Sequence, residues 1–317
     1  FSELCLVRSE VILTVYFVTF LIGLPANVLA LYAFSVKIHT KPVPTDILLL
    51  NLTVSDLLFL IFLPLKMHEA VSQMQWDLPH FLCSITSFIF FSTIYTSSLL
   101  LMAVSVVRYI GIAFPVSYHQ LQKPAYPIVA SVVIWIISAV HCSAIFATQH
   151  HPALSGQNST VCYQKFTPGQ LKILLPMRLE IFVVLCVVPL LVCVFCYLRS
   201  ISILYSRPLI SMAQKRKAIG MALGTLAVFL VCVLPFNISH LVGFIEGDSP
   251  TWRHYVLLLS TFNTCLDPII FYFSSSVFHL TSKKSVFKMS KICTVPAVNK
   301  DCCNLGPLRD LTFSTHL

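Results

Sequence analysis

Apolar residues run almost unbroken over about 10–36, 44–71, 81–107, 126–149, 174–206, 218–245 and 254–275. Each run reaches or exceeds the roughly 20 residues that a helix needs to cross hydrocarbon. The pattern predicts an all-α membrane protein, a seven-transmembrane helix bundle over 10–275, between an outer segment (1–9) and an inner tail (276–317). The first run has no small-residue cleavage site behind it, so it reads as a retained helix and not as a signal peptide.

Polar residues inside these runs need partners within the bundle, because lipid offers none. Asn27, Asn51, Asp56, Ser97, Asn263 and Asp267 sit within spans and together suggest a hydrated polar centre. Asp56 and Asp267 have no basic residue close in sequence, so the centre has room for a cation, and a sodium ion near Asp56 is the candidate; no other cofactor or metal is expected. The fifth run holds Arg178 and Glu180, and His240 interrupts the sixth.

Composition supports a membrane protein. Of 317 residues, 57% are hydrophobic and only 10% charged, with mean hydropathy +0.85. Lys and Arg favour cytoplasmic loops, and an N-terminus placed outside puts most of the 21 on the inner side. The net charge of +9 then belongs to the inner leaflet lipids and to cytosolic partners, not to nucleic acid. In the same topology Cys83 and Cys162 face the oxidising exterior and form the natural disulfide pair. Asn158 in the loop of Cys162 heads an N-glycosylation sequon.

Depth can be counted along the helices. At 1.5 Å per residue, His240 lies about 7 Å outward of Pro235, and Arg178 and Arg253 lie about 16 and 22 Å outward of Pro189 and Pro268. A lone arginine at such a depth reads as reaching for lipid headgroups. Three donors at the outer ends of three successive spans form a cationic pocket more naturally. A guanidinium matches a carboxylate as a planar fork, so the expected ligand is a small acid. Phe91, Tyr95 and Phe236 leave little room for a long tail. A three-carbon acid has five heavy atoms, which caps its binding near 7 kcal/mol and its affinity between roughly 10 μM and millimolar.

The order of landmarks resembles class A, rhodopsin-like G-protein-coupled receptors: Asn27, N-L-x-x-x-D at 51–56, Cys83 with Arg108 following in "SVVRYIGIAFP", Trp135, Pro189 with Tyr197, Pro235, and D-P-I-I-F at 267–271. Within that class, "LLPMRLE", "VCVLPFNISHLVGF", "SPTWRHY" and "DPIIFYFSSS" resemble the free fatty acid receptors, in particular the short-chain carboxylate branch. The resemblance implies a multi-pass plasma-membrane receptor activated by acetate, propionate or butyrate. It puts the anchoring arginines on Arg178 and Arg253, histidines on His240 and His141, and a pocket tyrosine on Tyr95. Gln164 stands where a short-chain member has an acid, and Phe91 and Phe236 stand where tyrosines are usual. With that acid gone, the pocket is expected to be more positive than in relatives and to hold a small anion such as chloride.

Resemblance also assigns the inner face. Arg108 matches the arginine of the D/E-R-Y motif, but Val107 precedes it, so the local carboxylate is absent and raised basal signalling is expected. Arg108, Tyr197, Lys215, Arg216 and Lys217 are the candidate contacts for a heterotrimeric G protein, of the inhibitory class by resemblance. Residues 277–293, "VFHLTSKKSVFKMSKIC", read as a short amphipathic helix on the inner leaflet, with Cys293 a lipidation candidate. Tail serines and threonines are candidate sites for receptor kinases and hence arrestin.

Other classes fit less well. Seven spans without a visible repeat, and only two deep carboxylates, argue against a coupled transporter. The last span lacks the lysine a retinal protein needs, and "MHEAVS" starts like a zinc-enzyme helix but lacks the second histidine. A receptor for hydroxy acids or dicarboxylates remains the nearest alternative.

Overall fold

A computed structural model describes residues 2–150, 162, 166–208 and 210–274. The expected inner-leaflet helix and tail, Cys293, Asn158 and Gln164 lie outside the described residues. Among the described residues every regular element is helical, and none is a strand. The helices are α1 (Ser2–Thr40), α2 (Pro44–Val71), α3 (His80–Ala113), α4 (Pro115–Leu121), α5 (Ala125–His150), α6 (Pro168–Ser206), α7 (Met212–Glu246) and α8 (Arg253–Ser274). The short α4 was not anticipated; Pro115 opens it at a position where a missing N–H costs nothing.

Several helices, such as α6 and α7, outrun their apolar runs because hydrophobicity marks the lipid-facing length, while the backbone ladder continues beyond it. Capping fixes some ends. Thr167 caps the Gln170 N–H while the Gln170 side chain accepts from the Thr167 N–H, so α6 starts ahead of the apolar stretch at 174. Ser211 and Gln214 do the same for α7.

Six of the long helices are apolar enough to cross a membrane by length and composition. The predicted seventh, α8, is less uniformly apolar for a visible reason: Ser260, Thr261, Asn263, Thr264 and Asp267 are buried along it. It is wedged between α1 and α7, where its polar face meets protein instead of lipid.

The long α3 occupies the middle of the bundle, packing on α2, α5 and α6. Leu99, Leu100, Leu101 and Val104 on α3 join Leu48, Leu49 and Leu52 of α2 and Phe236 of α7 in the largest buried cluster.

Two wide turns interrupt α6 and α7. Residues Val183–Val187 and Phe229–Val233 make i→i+5 bonds, and each stretch lies just before a proline, Pro189 or Pro235. Proline has no N–H and its ring crowds the preceding turn, so a locally widened helix relieves the clash. The Cys232 carbonyl in the second wide turn accepts from Ser260 Oγ of α8 at 2.7 Å.

Candidate functional site

At the outer end of the bundle, α1, α2, α3, α6, α8 and the loop bearing Cys162 enclose a cavity of about 200 Å³. Its charged and polar lining includes Tyr16, Lys66, Glu69, Arg178, Ser249, Arg253 and His254. Phe91 and Phe166 supply much of the apolar remainder. The Cys83–Cys162 disulfide is formed, with Cα atoms 5.8 Å apart, and ties the outer loop to the top of α3. Phe166, four residues on, thereby lies over the cavity.

Arg178 is 3% exposed, which excludes a side chain reaching out to headgroups. Its guanidinium lies over the Phe166 ring at 5.0 Å and donates through Nη1 to Ser249 Oγ at 2.6 Å. Ser249 reaches it because the turn after α7 folds back tightly. Gly247 closes α7 with φ 72°, and a Cβ at Gly243 would meet the Asp248 carbonyl oxygen at 2.8 Å. Only a residue without a side chain admits that approach.

Arg253 begins α8 and lies over the Phe236 ring at 4.6 Å. Its Nη1 donates to His240 Nδ1 at 2.9 Å and to Ser239 Oγ at 3.3 Å. A guanidinium has no acceptor, so Nδ1 carries no proton, and the Nε2–H of a neutral His240 donates to Tyr95 Oη at 2.9 Å. Tyr95 and His240 are both fully buried and absent from the cavity lining. They form a brace behind Arg253, so the structure gives His240 a supporting place where the sequence suggested a direct donor. Phe91 and Phe236 stack at 6.0 Å with an interplanar angle of 10°.

His141 is elsewhere. Its Nδ1 donates to the Ile137 carbonyl at 2.7 Å and its Nε2 faces Glu180 Oε1 at 2.9 Å. Through these two contacts the histidine links α5 to α6. It does not line the cavity.

The cavity also holds an acid that the sequence reading did not single out. Glu69 lines the cavity with a side chain only 3% exposed, and its Oε2 accepts from Lys66 Nζ at 2.9 Å. The other oxygen, Oε1, is buried without a hydrogen-bond partner. The K-x-x-E spacing at the outer end of α2 was the available signal: residues three apart share a helix face, and a charged pair there faces the bundle as easily as water.

A family described as 7 transmembrane receptor (rhodopsin family) matches residues 26–271. Free fatty acid receptor 3 of Homo sapiens is 47% identical over 270 residues, covering 84% of this chain and 77% of its own. Free fatty acid receptor 2 of Homo sapiens is 46% identical over 275 residues, covering 85% and 83%. Free fatty acid receptor 1 of Macaca fascicularis is 30% identical over 268 residues, covering 80% and 88%. The chain belongs to the free fatty acid receptors of the rhodopsin family. It is a multi-pass plasma-membrane receptor that signals through G proteins, and its relatives are signalling receptors, not enzymes.

Below the cavity, the receptor holds the expected polar centre together. Asn27 Nδ2 donates to the Gly23 and Thr264 carbonyls, both at 2.9 Å, and Asn263 Nδ2 to Asp267 Oδ2 at 3.1 Å. Ser97 Oγ donates to Ser55 Oγ at 3.3 Å. A small void of about 10 Å³ is lined by Asp56, Ser97, Asn263 and Thr264, among others. Asp56 Oδ2, Asn263 Oδ1 and Asp267 Oδ1 are buried acceptors without a hydrogen bond.

At the inner end, Arg108 stands on α3 and Tyr197 on α6, with the Tyr197 hydroxyl 2.5 Å from Ser105 Oγ. Lys215 is buried, whereas Arg216 and Lys217 are exposed.

Proposed function

We propose that this receptor is activated by short-chain monocarboxylates, acetate to butyrate, with Arg178 and Arg253 holding the carboxylate. One observation carries the reading: two guanidinium groups from different helices, braced by Ser249 and by His240, line the same outer cavity. Removal from water strengthens their attraction for an anion, and prior bracing lowers the ordering cost of binding. Phe91 on the cavity wall, backed by the buried Phe236 ring, limits tail length, and Lys66 with Glu69 gives the cavity a polar wall that disfavours a long alkyl chain. G-protein coupling is proposed to run through the inhibitory class by way of Arg108 and the basic start of α7, with receptor kinases and arrestin acting on the tail.

The test is G-protein activation in cells by acetate, propionate, butyrate, hexanoate, lactate and succinate. Short monocarboxylates are expected to act between roughly 10 μM and millimolar, with hexanoate weaker. A best response to succinate would instead support a dicarboxylate receptor that engages the arginines separately. Silence to every acid, with normal surface expression, would sink the reading.

We also propose that a sodium ion is held by Asp56, Ser97, Asn263 and Thr264. In support, the void there is about the size of one small solute, and its buried oxygens lack donors. An ion there would neutralise buried carboxylate charge and favour the compact ligand-free arrangement. In membranes, replacing sodium by N-methylglucamine should raise propionate potency in the wild type and leave Asp56→Asn unaffected. An equal shift in both would remove the ion from Asp56.

A further inference from the structure

Val107 leaves Arg108 without the acid that a D/E-R-Y motif places beside it. A carboxylate stands there all the same, brought by another helix. Asp46 lies in the first turn of α2, 4% exposed, on the inner side of the bundle. Its Oδ1 accepts from Lys37 Nζ of α1 at 2.8 Å, and its Oδ2 is buried with no hydrogen-bond partner. Arg108 and Asp46 are near enough for their charges to interact, and Tyr197 flanks Arg108 as well. Tyr118 of α4 closes the cluster: its ring lies 3.4 Å from where a Cβ on Gly111 would stand, and the residue approaches Thr45 and Asp46. Cations from α1 and α3 thus converge on one buried α2 carboxylate beneath the inner-loop helix.

We propose that Asp46 is the positioning residue of Arg108, holding its guanidinium in the ligand-free receptor from α2 in the role that the preceding acid plays in a D/E-R-Y motif. A buried carboxylate oxygen without a hydrogen-bond donor is costly, and a guanidinium close enough for its charge to be felt lowers that cost. The restraint has moved from a neighbour in sequence to a neighbour in space. It also links the inner ends of α2 and α3, so that release of Arg108 toward a G protein loosens that junction. Basal signalling is therefore held down despite Val107, the reverse of what residue 107 alone suggests.

The experiment measures ligand-free activation across a panel of Gα families, in cells matched for surface receptor, for wild type, Asp46→Asn, Asp46→Glu, Lys37→Met and Asp46→Asn with Val107→Glu. Asp46→Asn should raise basal signalling several-fold by shifting the two-state balance, and Asp46→Glu should leave it low. Adding Val107→Glu to Asp46→Asn should bring it back down, a rescue that a merely structural role would not give. Lys37→Met hands Asp46 wholly to Arg108 and should give basal signalling at or below wild type. It decides the matter even if Asp46→Asn fails to reach the surface. A rise in Lys37→Met equal to that of Asp46→Asn would show that Asp46 serves Lys37 alone and overturn the assignment. So would an unchanged Asp46→Asn, or failure of the Val107→Glu rescue. Because the readout is ligand-free, it separates this role of Asp46 from the carboxylate reading of the outer cavity.

Discussion

Arg253→Ala should lose about 30-fold or more in propionate potency, and Arg178→Ala a comparable amount, because truncating one side of a buried, hydrogen-bonded charge pair typically costs about 2–5 kcal/mol. For Arg253 the loss has two parts. The ligand loses a fork of donors, and His240 Nδ1 loses its donor inside a buried brace. Lysine at either position keeps the charge but not the planar fork, so Arg253→Lys and Arg178→Lys should fall between alanine and wild type. His240→Phe keeps the ring volume but removes both brace contacts; it should weaken propionate less than Arg253→Ala does, since the guanidinium still lies over Phe236. Dose–response curves at matched surface expression provide the check. Wild-type potency in either alanine variant would exclude that arginine as a carboxylate anchor.

Cys83→Ala should lower the stability of the solubilised receptor substantially, and reducing agent should do the same to the wild type. The bond joins positions 79 apart in sequence, and closing so long a loop contributes about 3–5 kcal/mol in the chain-entropy account. Helices already formed in the membrane lower that figure, because the freed segment is not a random coil. Function should suffer along with stability: Cys162 lines the cavity and Lys66 Nζ approaches its sulfur at 3.9 Å, so the tether sets where the outer loop meets α2. Thermal denaturation with and without reductant, together with propionate potency, tests both parts. A melting temperature indifferent to reductant would count against a stabilising bond.

Much of the fold was legible because a membrane imposes a simple rule on sequence. Runs of apolar residues gave the spans, and the inner bias of Lys and Arg gave the orientation. Arg178 and Arg253 stood out because a cation in the outer third of a span needs a reason. His240 was found, but not its task, since a supporting place depends on which neighbour each ring nitrogen faces across three helices. Lys66 and Glu69 escaped notice because charges at a span's end have an ordinary explanation in water. Asp46 was overlooked for a related reason: its partners Lys37 and Arg108 are on other helices, and no periodicity joins them. The wide turns in α6 and α7 have no sequence signal beyond the prolines that follow them.

Those wide turns also bear on how such a receptor diverges. The extra residue at 183–187 sets the angular position of Arg178 independently of Tyr197 below it. One residue lost or gained there would swing everything outward of it by about 100° relative to the inner half. Arg178 would leave the cavity at a stroke, while the face that meets the G protein kept its register. Ligand choice in this lineage is therefore open to abrupt change by a single-residue insertion or deletion, with the signalling half inherited intact.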